Sequence, residues 1–599
     1  MSHLIFFATP AWSGDGAWGA TGFGLWSTPE NWVGGIIADG IDHTANFNMS
    51  SAQPDLVVSL DGPRTIGHLF FEESWRSDGN RTIDGNGKTA NVLTIEATSS
   101  PPSIDLGRMG PEGVLEIRAT VSGASGLHIN NAGWAGTVLL GGANTFSGGT
   151  TVHAGTLRID SDAALGAAAG GISFSDSGSA LQAGADNIRV AATRTIHIGR
   201  DSDDNPLSLA IDSAGHSLAV EGPIVGPGTL HKTGAGVLEL LGTNTYAGDT
   251  FIDKGVLAIR GDDALGNPAG AIQVDISGTL RADADFTLGA SRTIKVSTDA
   301  AYDVPAVLTI DTNGRALRIA GDIVPVDPGS PGGTVVKSGI GTLTLAGANN
   351  CGGDILVEAG NLELAGSGSL TFVPTARGTS NKLTGPAAAV LGGTLVIDLT
   401  SADIADGNTW TLVDVADPTY NLTAITSNPP LAFARDASGA WSASSGSMAW
   451  TFTEADGVLA LAVAPPAGYS AWVADHPGLP DTTPAADPDH DGMPNLLEYV
   501  LNGDPRASDP AIQPRHGDPD ARSFVFTFKR RTTSAADTNQ VFEYGTDLSF
   551  GQTINVTAPT GPGVSIGTDV AGQQAVTITI PKDGVDADRL FGRLKVTQP

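Results

Sequence analysis

The chain has one cysteine, Cys351, in 599 residues. No internal disulfide can brace it and no thiolate cluster can hold a metal. Positive charge is scarce: 32 Lys and Arg stand against 64 Asp and Glu, a formal net charge of −32. Such a surface repels a phosphate backbone, so nucleic acid is not an expected partner. Long apolar runs are also missing. The longest, VLALAVA from Val458, is far short of the ~20 residues a spanning helix needs, so no membrane span is expected. LIFFA from Leu4 is too short for a signal-peptide core and no Lys or Arg precedes it, so no export signal is visible and either another export route or an earlier start is expected. Apolar spacing of three and four residues, the mark of an amphipathic helix, is lacking as well.

In its place are short runs of alternating aliphatic and polar residues broken by Gly, Asn or Asp, in a chain with 79 Gly and 40% hydrophobic residues. These are brief strands joined by tight turns. Three stretches repeat one pattern: GTVLLGGANTFSGGTTVHAGTLRIDSDAALG from Gly136, GTLHKTGAGVLELLGTNTYAGDTFIDKGVLAIRGDDALG from Gly228 and GTVVKSGIGTLTLAGANNCGGDILVEAGNLELAG from Gly333. Aligned on Asn144, Asn244 and Asn349, they keep Gly148, Gly248 and Gly353, then Val152, Ile252 and Val357. RTI segments recur between them at Arg194 and Arg292, with a weaker trace at Arg81. Counted from Asn144 to Asn244 to Asn349 the unit is 100 to 105 residues long. At roughly 20 residues or more per coil, that is about four or five coils of a stacked sheet. An all-β, right-handed parallel β-helix is the expected fold. Cys351 stands where the other copies have Phe146 and Tyr246, which makes it a core residue rather than a nucleophile.

The pattern G-x-G-x-L-x-L-x-G-x-N-T-[FY]-x-G followed by V-x-x-G-x-L-x-I resembles the autotransporter-associated β-strand repeat of large secreted bacterial proteins, over about residues 126 to 366. WSGDGAWGATGFGLWSTPENWVGG near the start and GAWSASSGSMAWTFTEADGVLAL from Gly439 resemble the segments that open and close such arrays. The resemblance implies a parallel β-helix at the bacterial cell surface or outside the cell, of unknown or adhesive function. The membrane β-barrel of autotransporters is not matched: the chain ends LFGRLKVTQP after a short β-rich tail, so self-translocation is not expected.

The sharpest chemical signal is DPDHDGMPNLLE. Asp487, Asp489 and Asp491 fall at positions 1, 3 and 5, Gly492 at 6, Met493 at 7, Asn495 at 9 and Glu498 at 12, the full spacing of a calcium loop. Calcium wants six to eight oxygens, and this spacing lets three short carboxylates, the Met493 carbonyl, Asn495 and a bidentate Glu498 converge. NLLEYVLNG can form the exiting helix, whereas HPGLPDTTPAADP has too much proline for an entering one. The loop is therefore similar to the half-hands of dockerin or thrombospondin-type repeats, with a structural Ca2+; a solvated acidic turn is the competing reading.

Other features read as architecture. Trp12, Trp18, Trp26, Trp32 and Trp75 suit a cap over the first coil better than a sugar-stacking platform. The three repeat Asn are read as turn residues tolerating a left-handed backbone, as are Asp162 and Asp262 in the DxALG turns, and the RTI arginines as parts of the repeat. The unrepeated carboxylate pairs, Asp203 with Asp204 and Glu72 with Glu73, are adjacent in sequence and would point to opposite faces of a strand, unlike the facing carboxylates of glycoside hydrolysis. His128, His153, His197, His216 and His231 show no metal spacing. From about residue 512, SFVFTFK, QVFEYG, AVTITI and LFGRLKV read as a small β-sandwich; Lys529, Arg530 and Arg531 either bind envelope sugars or guard an edge strand.

The domain plan is a Trp-rich cap over 1–79, a repeat array over 80–384, a closing β segment over 385–466, a calcium-loop linker over 467–511 and the small β domain over 512–599. The expected work is that of an exported or cell-surface adhesin-like scaffold with no catalysis evident and a glycan or cell-surface ligand. The alternatives are a polysaccharide lyase or glycoside hydrolase on the same fold, and a calcium-dependent module anchoring the array.

Overall fold

A computed structural model describes residues 13–47, 55–71, 80–107, 113–130, 136–176, 178–299, 304–327, 332–464, 468–517, 522–557, 563–582 and 589–598. The chain divides into two compact units, Met1–Ser444 with Trp450–Ala462, and Ser445–Ala449 with Val463–Pro599. Among the described residues no helix is long and apolar enough to cross a membrane.

The first unit is built of short parallel strands in long stacked sheets. Leu115 pairs with Val138, Val138 with Leu157, Leu157 with Leu181 and Leu181 with Ile211, each partner one coil further along the chain. All five side chains are fully buried. Alternate residues point inward, so each coil lays aliphatic groups on those of the coil before, at about 1.5–3 kcal/mol per buried side chain. One ladder runs in this way from Phe23–Leu25 to Ala424–Asn428. A second runs from Gly16–Ala17 to Ile224–Val225, and a third from Ile188–Val190 to Val413–Tyr420. This is the strand arrangement of a β-helix solenoid. Parallel stacking continues inside the stretches set apart above as a cap and a closing segment; the latter also carries an antiparallel sheet from Thr409–Thr411 to Ala434–Arg435.

Trp18, Trp26 and Trp32 are buried in a cluster with Phe47, and Phe71 stacks on Phe47 at 4.7 Å. The Trp26 and Trp32 indoles donate to the carbonyls of Ala38 and Trp26 at 2.8 and 2.7 Å. Rings buried in this way offer no platform to a sugar. Trp12 and Trp75 lie outside the described residues.

The repeated polar residues act between coils. Asn144 accepts the Val121 N–H at 2.8 Å and donates to the Ala164 carbonyl at 2.6 Å; Asn244 does the same with Ile224 and Ala264 at 2.7 and 2.5 Å. None of the three Asn has a positive φ, so the left-handed turn reading is replaced by a buried side-chain bridge, to the coils on either side for Asn144 and Asn244 and to the Gly347 and Ser369 carbonyls for Asn349. Arg194 and Arg292 are fully buried and enter the short 3-10 turns Asp162–Leu165 and Asp262–Leu265 of earlier coils. Arg194 pairs with Asp162 at 3.0 Å and donates to the Leu165 carbonyl; Arg292 pairs with Asp262 at 2.6 Å and donates to those of Leu265 and Gly270. A buried guanidinium is tolerable because its donors are spent on carboxylate and carbonyl oxygens. Lys232 and Lys337 interrupt the aliphatic ladders, Lys232 between Ile211 and Ile252. Each ammonium is met by three backbone carbonyls, and burial pushes both pKa values down to about 8.

Phe146, Tyr246 and Cys351 are all buried at matching positions, and burial pushes the Cys351 thiol up to about 12. After the first two, Gly166 and Gly266 adopt φ of 71° and 66°. A Cβ there would sit 2.4 and 2.5 Å from the carbonyl oxygens of Phe146 and Tyr246. The Tyr246 hydroxyl bonds Thr250 at 2.6 Å, while the hydroxyl of Thr150, which occupies the matching place in the copy with Phe146, has no partner.

In the second unit, two short helices, α1 (Gly468–Ala474) and α2 (Asn495–Leu501), share one hydrophobic cluster with antiparallel strands. Tyr469, Trp472, Met493, Leu496 and Tyr499 pack with Phe524, Phe526, Phe528, Phe542, Val576 and Ile578. The 467–511 segment thus lies in the same core as the strands that follow. One sheet orders Arg515–His516, Ser523–Arg531, Gln573–Pro581 and Val564–Ile566; the other orders Gln552–Asn555, Asn539–Gly545 and Phe591–Thr597. Ser523–Arg531 is paired along its whole length by Gln573–Pro581, whereas Arg515–His516 pairs only with Thr527 and Phe526, so the basic run Lys529–Arg531 has a strand on one side. Arg530 points inward to Gln540 and the Val556 carbonyl, Arg531 lies over the Tyr499 ring, and Lys529 is exposed.

Three outcomes follow for urea unfolding of the first unit. Tyr246→Phe should cost about 1 kcal/mol and Phe146→Tyr should gain a similar amount by giving Thr150 a partner. Asn244→Ala, which strips partners from the Ile224 N–H and the Ala264 carbonyl, should cost about 2 kcal/mol or more.

Candidate functional site

The loop from Asp487 to Glu498 folds on its own carboxylates. Asp487 Oδ2 accepts the Gly492 N–H at 2.9 Å, Asp489 Oδ1 the Asp491 N–H at 3.1 Å and Asp491 Oδ1 the Met493 N–H at 2.8 Å. His490 and Gly492 turn the chain with φ of 63° and 89°. Asp487, Asp489 and Asp491 each present an oxygen within 4.8 Å of the others, and among the described residues they form the one such group of three metal-ligating side chains.

α2 supplies the rest. Pro494 precedes it and Asn502 ends it in a left-handed conformation. Its residues are apolar almost all round, so nearly every one is buried. Two polar ones go in with them. Asn495 donates to the carbonyls of Asp481 and Thr483, both at 3.0 Å, which leaves its Oδ1 buried without a partner. Glu498 is 0% exposed and neither carboxylate oxygen has a partner. Burial first, and then the charges of Asp489, Asp491, Asp509 and Asp487, push its pKa up to about 8. Asp489 is raised by the same two causes. Met493 is fully buried, which fixes the backbone at position 7 of the loop.

Unpartnered buried oxygens therefore gather in one place: Asp487 Oδ1, Asp489 Oδ2, Asn495 Oδ1, both oxygens of Glu498 and Asp509 Oδ1. Each orphan costs about 1–3 kcal/mol and like charges add to that. A donor set made only of oxygen, mostly carboxylate, fits a hard cation of the calcium class. All six positions singled out from the sequence are in this segment. Asp509 lay beyond the 12-residue spacing and was not; an acid shortly after the exit helix was its only signal.

The remaining candidates disperse or regroup. Asp204 is an exposed turn residue with φ of 66° that reaches Arg200 at 3.7 Å. Glu72 and Glu73 lie outside the described residues. His128 and His153 meet on one outer face, with ring nitrogens 3.0 Å apart and the Ser175 hydroxyl 2.8 Å from His153. Burial and His153 lower the pKa of His128. His231 has an acidic partner, Asp253, at 2.9 Å. Their spacing in sequence could not show this, because only strand register brings these residues side by side.

Three stretches, 135–159, 230–259 and 335–364, match the passenger-associated-transport-repeat family. The chain is 32% identical over 277 residues to the adhesin BmaC autotransporter of Brucella suis biovar 1 (strain 1330), an alignment covering 45% of this chain and 7% of the adhesin. An extracellular serine protease of Serratia marcescens is 39% identical over 113 residues, covering 16% of this chain and 10% of the protease. A second such protease of that organism is 44% identical over 72 residues, 12% of this chain and 6% of its own length. The chain thus spans at most a tenth of the length of these relatives. With three matched stretches lying on the repeated coils, this chain carries repeats of the autotransporter passenger type.

Proposed function

We propose that the chain is an adhesin-like scaffold at the bacterial cell surface or outside the cell, a right-handed parallel β-helix whose outward coil faces meet a glycan or another cell-surface ligand. The observation that carries the reading is the unbroken parallel stacking of strands through the matched repeats, which yields a stiff surface with no need for a reaction centre. The adhesin relative supports the adhesive role, the passenger-type repeats support the location, and right-handedness is the rule for crossovers between parallel strands. In the second unit Asp487, Asp489, Asp491, the Met493 carbonyl, Asn495 and Glu498 hold a structural Ca2+, supported by the orphaned buried oxygens of Asn495 and Glu498. The ion supplies the positive charge that lets the Glu498 carboxylate stay ionised inside the core, and gives the neutral Asn495 Oδ1 a partner.

The purified chain should be retained on immobilised cell-surface glycans or intact cells in a saturable manner; retention equal to that on bare matrix would overturn the adhesive reading. Calorimetric titration with Ca2+ should give saturable heat that Asp487→Ala abolishes, and identical heats in both proteins would remove the ion.

In chelator the pH dependence has a definite sign. Glu498 titrates at about 8 in the fold and at about 4.3 when unfolded. Its contribution to stability is therefore present below the unfolded value and lost as pH rises through about 8. Thermal unfolding of the second unit in chelator should weaken from pH 5 to pH 8, and Glu498→Gln should flatten that decline.

A further inference from the structure

After α2 the chain doubles back against the loop. The Gly503 N–H donates to the Glu498 carbonyl at 2.8 Å, and the Ile512 N–H to the Asp509 carbonyl at 3.1 Å. Gly503 permits the close return: a Cβ there would lie 3.2 Å from both the Glu498 Cβ and Asp509 Oδ2, and 2.8 Å from Ile512. Asp509 then touches the loop directly, its N–H donating to Asp491 Oδ2 at 3.0 Å. Its carboxylate has two separate fates. Oδ2 accepts the Asp504 N–H at 3.3 Å and so closes the return segment. Oδ1 is buried and accepts nothing. Asp509 sits at the start of the short turn Pro510–Ile512, yet its side chain makes no capping bond there, so local capping does not account for it.

A carboxylate oxygen left without a donor beside Asp491 and Glu498 is repelled in the absence of a cation and held in the presence of one. We propose that Asp509 is a further calcium ligand from outside the 12-residue loop, so that a single ion ties the return segment Asp504–Ile512 to the loop and to α2. The inference rests on the calcium reading above and adds to it a fifth carboxylate. The added charge raises affinity, and the added strap makes order in the return segment depend on the ion.

The test is calorimetric titration of the full chain with CaCl2 and, separately, with MgCl2. Wild type should bind Ca2+ well above Mg2+, because five carboxylates around one ion suit the larger, more flexible coordination. Asp509→Asn should weaken Ca2+ binding by about ten-fold or more. Asp504→Asn, which removes the same charge from an exposed side chain already engaged by the Arg506 N–H, should change it far less. Asp509→Ser, whose hydroxyl can still accept the Asp504 N–H, should behave as Asp509→Asn. Thermal midpoints separate ligation from packing: Asp509→Asn should match or exceed wild type in chelator and fall below it in saturating Ca2+. A midpoint already lowered in chelator would mark Asp509 as a packing residue and overturn the proposal. No binding by wild type would remove the calcium reading itself. Wild-type binding with unchanged affinity in Asp509→Asn, or equal losses in Asp509→Asn and Asp504→Asn, would overturn this inference alone.

Discussion

In a stack of parallel coils the backbone N–H and C=O groups point along the stack, so each coil satisfies the one before and the one after. Everything else in the first unit is subordinate to that register. The inward Leu, Ile and Val can meet only if each coil repeats the phase of the last, and a slip of one residue would turn them outward. Register also explains why so many glycines are kept at corners. At Gly166 and Gly266 the backbone of the neighbouring coil passes so close that a methyl group would strike a carbonyl oxygen.

The repeated polar residues enter this interior where the coil leaves something unpaired. Where strands give way to turns, carbonyls fall out of the ladder, and Asn144, Asn244, Arg194, Arg292, Lys232 and Lys337 collect them. A buried guanidinium or ammonium would be costly alone; surrounded by carbonyls it holds a turn of one coil against the next. The third copy is the least complete. Asn349 Oδ1 has no partner and Cys351 replaces the aromatic ring, so the array weakens in its chemistry toward its later coils.

The second unit meets the opposite difficulty. Around the loop and α2 its unpaired groups are acceptors, all oxygens and mostly carboxylate, and no lysine or arginine is among the groups that act on Glu498. A surface carrying a net charge of −32 has few cations to spare. The proposed divalent ion would supply that charge, and because Glu498 and Asn495 sit in the helix that fills the core, such an ion would become part of the core itself.

Composition and periodicity determined the all-β character, the stacked repeat and the loop spacing from Asp487 to Glu498, because each depends on residues near one another in sequence. Alternation of aliphatic and polar residues is enough to specify a strand, and Asp-x-Asp-x-Asp-Gly is enough to bend a loop around its own carboxylates. Register and packing were decided only in three dimensions. No spacing could show that Arg194 enters the turn at Asp162, that His128 meets His153, that Arg530 faces inward, or that Asp509 returns to the loop. Each of those contacts joins segments whose separation in sequence is set by intervening turns, and the physical quantity that brings them together, the burial of polar groups beside their partners, exists only once the chain has folded.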